Sequence, residues 1–199
     1  MKKIDFLLAG VGGQGTLMAS DILAEVGVAA GYDVKKSEVH GFAQRGGIVE
    51  SHVRWGEKVL SSLAEKGRAD FLLALEMLEG ARWAGYLKAG GMAVINRQHL
   101  PPLTVTAGDV LYPEDERMEQ AVKAVTDEVY FVDGVGIAEE LGTTKVSNTV
   151  VLGFVSSLLD VPPDTWLQVI EKRVPRKFVE VNKEAFRRGR ELGEQKLKR

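Results

Sequence analysis

A short apolar run, Lys3 to Ala9 (KIDFLLA), passes directly into GVGGQG at Gly10 to Gly15, and an amphipathic segment follows from Thr16 to Ala30. Ala19, Ile22, Leu23, Val26, Ala29 and Ala30 recur in that segment at helical spacing, so the order is strand, glycine turn, helix. Glycines at Gly10, Gly12 and Gly15 let a backbone approach a diphosphate, and the start of a helix adds unpaired N–H groups and partial positive charge. Gly10, Gly12, Gly13, Gln14 and Gly15 are therefore candidate contacts to a phosphate or nucleotide. The same turn also serves as a tight connection without any ligand, and spacing alone does not choose between the two. A dinucleotide site of the usual kind adds an acid at the end of the second strand, and Glu38, the residue at that place, stands in no such pattern.

Gly31 stops the helix, and Asp33 to Val39 reads as a second strand. There begins the stretch Ser37 to Arg54, SEVHGFAQRGGIVESHVR, which has too much glycine for a helix interior yet carries Glu38, His40, Gln44, Arg45, Glu50, His52 and Arg54. In its tail, Val49, Ser51, Val53 and Trp55 alternate with Glu50, His52 and Arg54, the pattern of a half-buried strand. Asp70 to Leu75 reads as a fully buried strand, Glu76 to Leu87 as a helix, and Met92 to Asn96 as another strand. Thr104 to Thr106 is expected to add a short strand, Glu114 to Ala124 a helix with acids in its first turn, and Val129 to Val132 the last central strand. Repeated strand and helix units pair in parallel, because the helical crossovers return the chain to the same edge. Beyond Asp133, Val146 to Leu159, Asp164 to Val174 and Phe178 to Lys198 read as helices. In the last of them Glu184 precedes Arg188 by one helical turn and Glu191 and Glu194 interleave with further bases, which describes a solvated face with mixed pairs. The predicted fold is α/β, a Rossmann-like, mostly parallel sheet with flanking helices and a helical C-terminal third. It forms a single domain over 1–199, with a core to about residue 135 and a helical extension over about 136–199.

The 199 residues carry a net charge of -2, with 27% charged and 45% hydrophobic residues, which describes a globular protein with no pull toward nucleic acid or membrane. The apolar run after Met1 is too short for a secretory leader or a bilayer span, so a cytoplasmic location is expected. Cysteine is absent. Its absence removes disulfides, thiolate nucleophiles, the usual structural zinc sites and cysteine-ligated iron-sulfur clusters, so any such redox centre must belong to a partner.

His40, Gln44 and Arg45 stand just before Gly46 and Gly47. A histidine exchanges protons near neutral pH, an arginine grips a carboxylate or phosphate with two hydrogen bonds, and paired glycines admit a neighbouring backbone. These three are the candidate catalytic residues, in a loop that lines an active site or an interface. No nucleophile elbow and no HExxH accompany them, and His40, His52 and His99 lack metal-ligand spacing, so no metal site is predicted.

GVGGQG at Gly10 to Gly15 followed by SEVHGFAQRGGIVESHVR resembles the gamma-type subunits of 2-oxoacid:ferredoxin oxidoreductases. The likeness extends through Asn148, Leu152-Gly153, Pro175, Asn182, Ala185-Phe186 and Gly189. The version His-Gly-Phe-Ala-Gln-Arg-Gly-Gly is most similar to the branch acting on indolepyruvate, with Phe42 where methionine is expected. The resemblance implies a subunit of a heteromeric enzyme that oxidatively decarboxylates an aryl 2-oxoacid to its acyl-CoA and passes electrons to ferredoxin. It implies that thiamine diphosphate, magnesium, iron-sulfur clusters and coenzyme A are used by the complex through a large alpha subunit, with no cofactor bound by this chain alone. The chain has no GDG motif of the thiamine diphosphate and magnesium kind, which agrees with that division. The glycine turn would face coenzyme A phosphates, the His40, Gln44 and Arg45 loop would complete the partner's site or cement the interface, and a homodimer in isolation would cover a bare partner surface. Two other readings stand beside this one: a stand-alone Rossmann-type dehydrogenase using NAD(P), and a non-catalytic nucleotide-binding or assembly protein.

Overall fold

The computed structural model describes residues 2–40, 47–102, 105, 108 and 111–198, with His40 described through its backbone alone. At its centre is a six-stranded sheet in the order β2-β3-β1-β4-β5-β6. The strands are β1 Ile4–Val11, β2 Asp33–His40, β3 Ile48–Gly56, β4 Ala69–Ala74, β5 Leu87–Asn96 and β6 Val129–Val132. β1, β4, β5 and β6 are parallel, as helical crossovers require. β2 and β3 instead pair antiparallel, and β3 also runs antiparallel to β1.

Strand β1 shows why its sequence is apolar without alternation. Phe6 and Leu8 enter one core, Leu7 and Ala9 enter another, and all four are fully buried. The first face, that of Phe6 and Leu8, is covered by α1 Thr16–Ala29, α5 Ser147–Ser156, α6 Pro163–Arg173 and α7 Val179–Leu197. The second face, that of Leu7 and Ala9, is covered by the short α2 Met77–Trp83 and by α3 Asp115–Lys123, which contributes Met118 and Val122. All ten residues of α5 are buried, and glycines let it cross α7 at backbone contact. A Cβ on Gly153 would collide with the carbonyl of Phe186, and one on Gly189 with the carbonyl of Val150.

Three expectations need correction. A helix, α4 Gly134–Glu140, stands where none was predicted: Gly134 and Gly136 weaken the helical signal, but the Asp133 carboxylate caps the start by accepting from Gly136 N–H at 2.9 Å. The polar side of β3 is far more covered than a half-buried strand implies, because the segment after Gly56 folds back over it. Arg54 donates to the carbonyls of Ser61 and Leu63, and Ala64 N–H donates to His52. The mixed charges of α7 pair as expected, Glu184 with Arg187 at 3.3 Å and Glu194 with Arg190 at 2.9 Å, and Arg188 reaches Glu140 of α4 at 2.6 Å. Of the expected strand at Thr104 to Thr106, only Val105 is described, and it is helical; the other two lie outside the described residues. No helix among the described residues is long and apolar enough to cross a membrane.

Candidate functional site

β1 and β4 are adjacent and parallel, but the helices that follow them leave toward opposite faces, α1 to the first and α2 to the second. Such a switch point opens a crevice at the carboxyl ends of the strands, and the glycine turn lies in it. Gln14 ties the crevice together. Its side-chain oxygen accepts from Val11 N–H at 2.7 Å, and its amide nitrogen donates to the carbonyl of Leu75 at 2.7 Å and to Gln98 Oε1 at 2.8 Å. Gly15 caps α1 in the left-handed region, φ 79°, and no side chain caps that helix. The N–H groups of Gly13, Gly15, Thr16, Leu17 and Met18 have no acceptor among the described residues. Of these, Gly13 and Gly15 line a cleft of about 460 Å³ together with Gly12, Gln14 and the exposed Lys145, and the cleft also borders Gln98 and Ser147. An anion is the ligand such donors suit.

A second hollow of about 250 Å³ adjoins it across Gly15 and Lys145, with apolar walls at Met18, Val146, Val174, Pro175 and Phe178. Asn148 and Asn182 brace this wall. Asn148 Nδ2 donates to the carbonyl of Gly15 at 3.2 Å, and Asn182 accepts from Thr149 Oγ1 at 2.7 Å while donating to the carbonyl of Phe178 at 2.8 Å. A further cleft of about 500 Å³ lies at the amino ends of the parallel strands, against Ile4, Trp55, Phe71 and Met92. Ligands in open α/β sheets bind at the other edge.

Within the stretch Ser37 to Arg54, the backbone at His40 and at Gly47 to Val49 lies at the same edge as the glycine turn. Val11 is opposite Ile48, His40 is opposite Val49, and Gly12 N–H donates to the carbonyl of Gly47 at 2.8 Å. The candidate residues Gln44 and Arg45, and the His40 side chain, lie outside the described residues. Glu38 is no ribose ligand for the glycine turn. β3 stands between β2 and β1, which puts the Glu38 strand two strand spacings, roughly 10 Å, from β1, and Glu38 instead pairs with Lys36.

Sequence reasoning missed a polar cluster on the second face. Glu76, 1% exposed, caps α2 by accepting from Glu79 N–H at 2.8 Å, and its other oxygen accepts from Leu100 N–H and the Tyr112 hydroxyl. Burial and that carboxylate push the Tyr112 hydroxyl well above its ordinary range. Glu79, also buried, is held by Arg82 at 2.6 Å and by the indole N–H of Trp83 at 3.1 Å, yet burial still raises it above the usual carboxylate range. Glu50 is raised by burial first and by the nearby Glu79 charge second. His52, fully enclosed, accepts from Ala64 N–H through Nδ1 at 3.2 Å, so its neutral ring carries the proton on Nε2, 3.8 Å from Glu50. Burial and Arg54 lower its pKa. The legible signal was Glu76 three residues before Glu79, the spacing of a reciprocal helix cap.

A parallel-centred sheet with a glycine turn at its switch point and helices on both faces defines a Rossmann-like protein. The family model for pyruvate ferredoxin/flavodoxin oxidoreductase matches residues 5–192, and the chain belongs to that family as a subunit of an oxidoreductase acting on 2-oxoacids. It is 35% identical over 192 residues to the indolepyruvate oxidoreductase subunit IorB of Thermococcus kodakarensis, covering 95% of each chain. It is 25% identical over 155 residues to the pyruvate/ketoisovalerate oxidoreductases common subunit gamma of the same organism, covering 77% of this chain and 76% of that one. Among solved structures, the keto/oxoacid ferredoxin oxidoreductase gamma subunit of Geobacter sulfurreducens is 25% identical, with a TM-score of 0.70 over 96% of this chain and 98% of that one.

Proposed function

We propose that this chain is the beta, gamma-type subunit of a heteromeric indolepyruvate:ferredoxin oxidoreductase. The reaction takes an aryl 2-oxoacid and coenzyme A to the acyl-CoA, carbon dioxide and a proton, with two electrons delivered to ferredoxin. The observation that carries this reading is the greater likeness to an indolepyruvate subunit than to a pyruvate/ketoisovalerate one. The intervening β3 speaks against a stand-alone nicotinamide enzyme, because it removes the acid that would hold a ribose.

With no cysteine in the sequence, iron-sulfur clusters fall to a large alpha subunit, together with thiamine diphosphate and magnesium. The residues of this chain suit coenzyme A better. The N–H groups of Gly13 and Gly15 and the Lys145 ammonium would hold its phosphates, and the hollow at Met18, Pro175 and Phe178 would shelter an apolar part from water. His40, Gln44 and Arg45 cement the subunit interface or complete the partner's site, in that order of preference. The protein is cytoplasmic, and it folds as a single domain.

Reduction of a viologen acceptor tests the assignment. The chain alone should be inactive with indolepyruvate and coenzyme A, and addition of the large subunit should restore turnover. Activity of the chain alone, or micromolar binding of NADH or NADPH, would overturn it.

A further inference from the structure

The first face of the sheet is roofed along its whole width, with α1 lying on β2 and β3, but the second face is not. There α2 packs on β1, β4 and β5, and among the described residues the hairpin β2–β3 is covered only where the segment after Gly56 crosses His52 and Arg54. The uncovered part is apolar at its edge. Val39 is 47% exposed, Ile48 42% and Leu63 50%. Val39 is directly opposite Glu50, Ile48 precedes Glu50 by two residues on the same side of β3, and Leu63 lies further along in the segment that crosses Arg54. Trp83 and Tyr86, half-buried, border the area from the α2 side, with their rings 5.2 Å apart. Large aromatic residues beside an apolar rim are the usual composition of a binding hot spot.

The charge at the centre tells what the covering group must carry. Glu50 is near a second carboxylate, Glu79, whose salt-bridge partner among the described residues is the exposed Arg82, and the base recorded beside Glu50 among those residues is a neutral His52 at 3.8 Å. Among the described residues no lysine or arginine reaches Glu50. Two crowded carboxylates inside an apolar rim are unfavourable in the isolated chain and favourable once a basic group is set between them.

We infer that the second face of the β2–β3 hairpin, centred on Glu50, docks the large subunit of the oxidoreductase and receives an arginine or lysine side chain from it. This rests on the subunit reading above. It also gives the glycine turn its orientation, since Gly12 is bonded to Gly47 at the start of β3, and docking there sets the anion cleft beside the partner.

The experiment measures affinity for the purified large subunit by titration at two salt concentrations. Ile48→Asp should weaken binding at least tenfold, and Glu50→Gln should weaken it roughly a hundredfold at low salt while flattening the salt dependence. Val28→Asp, at an exposed apolar position on α1, is the control and should bind as the unsubstituted chain does. Circular dichroism checks that each variant folds. If the unsubstituted chain fails to bind the large subunit, the subunit reading itself falls. If it binds and both hairpin variants bind equally well, the docking surface is wrong and the subunit reading survives. A homodimer abolished by Ile48→Asp with large-subunit affinity unchanged would assign the face to a second copy and overturn the inference.

Discussion

The two faces of one sheet bury side chains of different kinds. On the first, the polar groups buried beneath α1, α5 and α7 are neutral, among them Ser20, Asn148, Thr149 and Ser156. On the second lie Asp5, His52, Glu76 and Glu79, the ionisable side chains that are fully buried among the described residues. A neutral core needs only shape and paired hydrogen bonds, whereas each buried ionisable group must be paid for by a partner, a shifted proton or both. The first face therefore holds the fold together, and the second carries groups whose cost makes sense only if they serve something else.

The largest expected effect tests the structural half of that contrast. Trp166 is fully buried on the first face and stacks with Phe186 at 5.8 Å. Trp166→Ala should cost about 3–5 kcal/mol and lower the melting temperature by roughly 10 °C, read by thermal denaturation. Gly189→Ala should act in the same direction, by about 1–3 kcal/mol or more, because neither helix backbone at the crossing can yield.

Arg45→Ala should leave stability of the isolated chain unchanged and impair assembly or turnover of the reconstituted complex. The loss would be about 2–5 kcal/mol if the guanidinium sits in a buried charge pair, and far less at a rim. Pull-down and turnover both unchanged would break the functional half of the contrast for Arg45.

Glu76→Ala separates structural acids from the others on the second face. It strands the N–H groups of Glu79 and Leu100 and the Tyr112 hydroxyl, so it should cost about 2–3 kcal/mol in denaturant unfolding. A neutral result would mean that water replaces the carboxylate and that this acid, too, is dispensable to the fold.

How much of this was legible in the sequence divides along the same line. The apolar run before Gly10, the helical spacing after Thr16 and the buried strand at Asp70 to Leu75 depend on neighbours in the chain, and they stand where periodicity puts them. The position of β3 beside β1 depends on pairing Leu7 with His52, a contact that no local pattern announces. For the same reason Glu50, His52 and Arg54 read as a solvent side, when a later segment covers much of it. Gln14 looked like part of a cradle because it sits among glycines, yet its side chain is committed to Val11, Leu75 and Gln98, the last two far away in sequence. Glu76 and Glu79 could have been found as a helix cap, but their closeness to Glu50 could not.

The smallest effect is the most discriminating. Burial and Glu79 raise the Glu50 pKa above its ordinary 4.5, so between that value and the raised one the folded chain binds more protons than the unfolded chain. Stability from this group therefore falls as pH rises through that window and stays lower above it. His52 has the opposite sign: its folded pKa lies below 6.5, so its contribution is complete above 6.5 and is lost as pH falls through that value toward the lowered one. Glu50→Gln should thus make the isolated chain more stable at neutral pH, by an amount that shrinks to nothing as pH drops below about 4.5, while the loss attributed to His52 persists. Urea unfolding of both proteins across pH 4 to 8 measures the difference. A stabilised chain that binds its large subunit less well would show that Glu50 is kept at a cost to the fold because the complex needs it; a destabilised one would move Glu50 to the same structural role as Glu76.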